Sequence, residues 1–147
     1  MEQREVGLLQ IFERIKAEKT VIGLTTFKRT PTVPVQEKDL PCVFLIEGVD
    51  RITKPNSRSP HGYPARRVLE VTVELIVDKK TEIKAMYKKL RSAVFKKLNS
   101  NPPVYDPILE DEVFIVENRT EGPTGYGLPD IKGMRLVLDL IYTDGGL

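Results

Sequence analysis

The chain has 147 residues, of which 40% are hydrophobic and 30% charged, with a formal net charge of +2 and a single cysteine. That length fits one domain, residues 1–147, whose core can bury roughly 68–70% of the unfolded surface. One cysteine, Cys42, excludes an internal disulfide and suits a reducing compartment. No apolar run approaches the roughly 18 residues of a membrane span, and the mixed-charge start MEQREVGLLQIFERIK lacks the pattern of a secretion signal.

From Glu2 to Lys19, Leu8, Phe12 and Ile15 recur at helical spacing, with Leu9 and Ile11 beside them. This predicts an amphipathic helix with Gly7 as a weak point near its start and charged residues on its other side. Val21–Lys28 reads as a short strand, and Pro31 and Pro34 then forbid a central one. Cys42–Glu47 is a strand apolar on both faces. In Arg67–Asp78, Leu69, Val71, Val73, Leu75 and Val77 alternate with Glu70, Thr72 and Glu74, the pattern of a half-exposed strand. Thr81–Asn99 is the strongest helix. Thr81 is its expected N-cap, and Ile83, Met86, Tyr87, Leu90, Val94 and Leu98 form its apolar stripe. Val113–Val116 is a short strand by its β-branched content. Met134–Thr143 places Met134, Leu136, Leu138, Leu140 and Tyr142 on one face. The order predicts an α+β fold: one mostly antiparallel sheet of four to five strands, two helices packed on one face, and long hairpin loops.

The chemistry in these residues is sparse. Glu121–Gly133, EGPTGYGLPDIKG, is glycine-rich like a phosphate loop, but Leu128 and Pro129 follow Gly127 where that motif needs Lys and Ser or Thr. It reads as a hairpin connection with glycines at positive φ. Asp78, Lys80 and Asp130 carry the residue types of a metal-dependent nuclease, with the acids in reversed order. Glu110–Glu112 lacks the spaced ligands of a calcium loop. One histidine, His61, and one cysteine do not make a zinc site or a catalytic triad. The sequence therefore predicts no enzyme, no cofactor and no metal. The charge is unevenly spread. Lys79–Leu98 carries +7 and the rest of the chain −5. The face formed by Lys84, Lys88, Arg91 and Lys96 is expected to meet an acidic neighbour or lie in solvent, since no base-reading residues interleave with it. A nucleic-acid-binding module using helix 79–98 is the alternative from a different class.

The N-terminal amphipathic helix, the strands LPCVFLIEG and RRVLEVTVELIVD, the helix IKAMYKKLRSAVFKKLN and the closing hairpin VFIVENRTEGPTGYGLPDIKGMRLVLDLIYTD resemble, in order and texture, the tail terminator or tail completion proteins of long-tailed bacteriophages. The resemblance covers nearly the whole chain. It implies a structural protein of the virion neck, assembled in the host cytoplasm. Six copies would form a ring that caps the tail tube and joins it to the head connector. The implied partners are the chain itself, the tail tube protein and the connector protein. Membrane has no part, and DNA passes nearby without specific binding. Another head-closure subunit is the closest alternative. Strand directions place the loops 50–66 and 121–132 at opposite ends of the sheet. The expected partner contacts are Arg51, Lys54, Arg58, His61, Tyr63 and Arg66 at one end, and Gly122, Tyr126, Asp130 and Lys132 at the other.

Overall fold

A computed structural model describes residues 2–29, 36–53, 65–125 and 128–144. Five strands form one sheet in the order β1-β2-β3-β5-β4: β1 Thr26–Lys28, β2 Cys42–Ile52, β3 Ala65–Asp78, β4 Phe114–Thr124 and β5 Ile131–Asp144. Only β1–β2 is parallel; the other three pairings are antiparallel. Helices α1 (Gln3–Ala17), α2 (Lys19–Ile22) and α3 (Ile83–Phe95) contribute to the same apolar cluster as one face of the sheet. The fold is therefore α+β, as the sequence predicts, with a third short helix.

Alternation explains the layering. Leu69, Val71, Val73, Leu75 and Val77 of β3 all enter the helix-side core, as do Met134, Leu136, Leu138, Leu140 and Tyr142 of β5. In β2, Val43 and Leu45 join that core, while Cys42 and Phe44 pack with Ile76 on the opposite face. This is why CVFLI reads as apolar on both sides. Burial pushes the Cys42 thiol up to about 12. The folded chain is accordingly expected to resist a thiol reagent at pH 8 and to react once unfolded, and full labelling without denaturant would contradict the packing.

Several boundaries move, each for a local reason. Lys19–Ile22 forms a helical turn instead of strand. Gly23, at φ 91°, ends it with its N–H on the Lys19 carbonyl, leaving only Thr26–Lys28 to pair. Thr81 is not the N-cap of α3. Its hydroxyl and N–H donate to Asp78 Oδ1, closing a turn, and the helix begins at Ile83. Helix α3 stops at Phe95, not Asn99, because Lys96 bridges to Tyr105 and the Lys97 N–H donates to the Val104 carbonyl. Strands β4 and β5 run further than predicted and absorb much of EGPTGYGLPDIKG. Glu121–Thr124 and Ile131–Gly133 are strand, leaving a connection of residues 125–130. A Cβ at Gly122 (φ 97°) would lie 2.8 Å from the Gly133 carbonyl oxygen, so glycine is required at this irregularity in the β4–β5 register.

Gly7 is a packing requirement where the sequence suggests a weak helix start. It is buried, and a Cβ there would lie 2.7 Å from a Leu140 methyl and 2.9 Å from a Val113 methyl, both on fully buried side chains. Gly7→Val is expected to cost about 1–3 kcal/mol by overpacking. A denaturant midpoint unchanged from the parent would show that α1 lifts off the sheet without penalty.

Candidate assembly surfaces

Those predicted contact residues that the structure describes, Arg51, Arg66, Gly122, Asp130 and Lys132, lie toward the two ends of the sheet. Strand β2 ends at Ile52 and β3 begins at Ala65, which pairs with Asp144; at the other end Asp78 pairs with Ile131 and Thr124 with Gly133. The chain thus leaves β2 for β3 at one end and crosses from β4 to β5 at the other. At the first end, Arg51 stands 4.0 Å from Asp139 and the Arg66 guanidinium lies 4.8 Å over the Phe114 ring. Lys54, Arg58, His61 and Tyr63 lie outside the described residues, as does Tyr126 at the second end. There Asp130 is exposed, and its carbonyl accepts the Lys79 N–H. Gly122 and Lys132, expected in the loop, are strand residues.

That Lys79–Asp130 bond brings the nuclease-like residues near one another, but Asp78 Oδ1 is occupied by the Lys80 N–H, the Thr81 N–H and the Thr81 hydroxyl. The Thr81 hydroxyl bond leads in holding the Asp78 carboxyl below its ordinary range. Among the described residues, no three His, Cys, Asp or Glu gather as a metal site, and no helix is long and apolar enough to cross a membrane.

The sheet face away from the helices carries charged side chains across β3, β5 and β4. Arg135 pairs with Glu74, Arg119 reaches both Glu70 and Glu121 at 3.5 Å, and Asn118 donates to Asp139 at 3.1 Å. Acids and arginines meet across strands, so the surface is polar in texture. Toward the Asp78 end it turns apolar around Cys42, Phe44 and Ile76, flanked by Leu40, Ile46 and Ile131.

The basic face of α3 divides. Arg91 donates to Glu117 of β4 through Nη2 at 2.6 Å and Nε at 3.1 Å, a bond that raises its pKa. Lys96 pairs with Glu18. Lys84 and Lys88 are exposed and make no ion pair among the described residues. Two of the four predicted positions are thus neutralised within the subunit. Lys89 joins the unpaired set; its position between Lys88 and Leu90 gave no sign of which side of the stripe it takes.

Sequence reasoning also missed Arg14. Placed on the charged side of α1, it is in fact only 2% exposed and ties α1 to the far end of α3. Its Nη1 donates to the Val94 carbonyl at 3.1 Å and the Asp106 carbonyl at 2.7 Å, and its Nη2 to the Ile108 carbonyl at 3.2 Å. Burial pulls its pKa down and nearby Asp106 opposes that. The available signal was its spacing of three from Ile11, at the edge of the apolar stripe.

No protein-family model matches the chain, and no curated protein matches it. Among solved structures, its fold is similar to that of a chain in the virion of a native gene transfer agent particle. The TM-score is 0.50 at 12% sequence identity, with 94% of each chain covered.

Proposed function

We propose that this chain is a non-enzymatic structural subunit of a phage-like virion, and specifically the neck subunit whose six copies cap the finished tail tube and join it to the head connector. The observation that carries this reading is the end-to-end correspondence, 94% of both chains, with a chain of a gene transfer agent virion. Two features of the subunit support it. Its connections leave the sheet at opposite ends, as a piece between two neighbours requires. Several of its charged groups, Asp78, Glu74, Glu117 and Glu18 among them, are engaged by a neighbouring arginine, lysine or threonine. The subunit acts by position: it adds to a completed tube, ends its growth and offers a new surface to the head.

Purified tail tubes mixed with the chain and imaged by electron microscopy test this. The expected result is added density at one tube end only. Coating along the tube wall, or no binding, would contradict it.

DNA must slide past such a ring, so the free lysines of α3 should not grip it. Binding to duplex DNA is expected to be weak, with a salt dependence equal to roughly two neutralised phosphates or fewer. A steep slope, lost on reversing Lys84 and Lys88, would favour the nucleic-acid-binding reading.

A further inference from the structure

Beside α3 lies an open groove of about 560 Å³. Its floor is apolar: Val21, Ala85, Ala93, Pro103 and Tyr105. Val21 and Tyr105 are 63% and 61% exposed, unusual for side chains so placed against helices. Lys88 and Lys89 stand on its rim, and neither has an ion-pair partner among the described residues. Lys96, also at the rim, is neutralised by Glu18. The groove therefore selects an occupant with one apolar side chain followed by free negative charge.

The chain carries such a segment. Ile108 is 60% exposed, and Glu110, Asp111 and Glu112 beyond it are all exposed. These three acids make no ion pair among the described residues. None of residues 108–112 lines the groove of its own subunit. We infer that the α3 groove of one copy receives the Ile108–Glu112 segment of a second copy, in a head-to-tail contact. Residues 79–98 hold +7 and the remainder −5, so a two-fold contact with the groove on its axis would set lysines against lysines, whereas docking the groove on the acidic segment of another copy sets them against acids. Head-to-tail contacts repeat, and they close into a ring when the rotation allows. The inference rests on the ring reading above and supplies the surface that makes the ring.

The test uses two charge-reversed forms of the full chain, Lys88→Glu/Lys89→Glu and Glu110→Lys/Asp111→Lys, studied by sedimentation at low salt. All four positions are exposed, so thermal melts should match the parent. Each form alone is expected to lose self-association, with the dissociation constant raised at least roughly tenfold. Mixed in equal amounts they should associate again, because each supplies the charge the other's partner site now needs. Unchanged association of either form, or mixtures that stay dissociated, overturns the inference. Rings that form normally from the groove-reversed chain but fail to bind tail tubes would assign the groove to another virion protein and leave the neck reading standing. A parent chain that stays monomeric at millimolar concentration overturns the self-contact, while tube-end binding still judges the proposed function separately.

Discussion

Replacing Arg14 by Met is expected to destabilise the fold by about 3–5 kcal/mol. Met matches much of the side chain's volume, so the loss is mainly polar. Three carbonyls, those of Val94, Asp106 and Ile108, would face an apolar group in place of a charged donor. Val94 lies in the last turn of α3, where a cation also complements the helix end. Arg14 is one anchor of the segment from Lys96 to Val113, and beside it the Asp106 N–H donates to the Phe95 carbonyl at 2.7 Å. Arg14→Lys should fall between parent and Met, since an ammonium retains the charge but not the fork that reaches three acceptors. Chemical denaturation measures both. A loss below about 1 kcal/mol for Met would mean that water replaces the guanidinium at little cost.

Shortening either of the two end connections is expected to abolish function while sparing the fold, and each deletion should break a different joint. Strand β3 begins at the Ala65–Asp144 pair, and β4 ends at the opposite end of the sheet at the Thr124–Gly133 pair, so the β2–β3 and β4–β5 connections belong to opposite ends. Loop closure costs change by well under 1 kcal/mol on modest shortening, so stability should barely move. Joining assays between separated heads and tails provide the readout. One deletion should yield tails that accept no subunit. The other should yield capped tails that no head accepts. Loss of the same joint by both would contradict an end-on role.

Strands that bury one whole face were the easiest to read. The alternation in β3 and β5 appears unchanged in the core because five side chains of each point to the helices. The stripe of α3 was equally clear, with Ile83, Tyr87, Leu90 and Val94 all buried. Strand β4 was legible only at its apolar start. It is an edge strand whose later residues are mostly exposed, so pairing with β5 rather than burial defines its length. Strand β1 has three residues and depends on β2 for its existence. Gly7 and Arg14 were misread for one reason: both look wrong for a core when judged by residue type. Gly7 is there because the sheet approaches too closely for a Cβ, and Arg14 because carbonyls from a distant loop await it. Neither partner lies near in sequence. Strand order set the two loops at opposite ends by direction alone. Which basic residues stay free on α3 depended on Glu18 and Glu117, far along the chain.

Molar mass by light scattering, taken on the purified chain alone and again with tail tube protein, tests the structural-ring account most directly. The account predicts a closed species of about 100 kDa, six times the 16.7 kDa of one chain, or, with tube protein present, particles heavier than the tube alone by about that amount. A species that remains at 16.7 kDa under both conditions would contradict it.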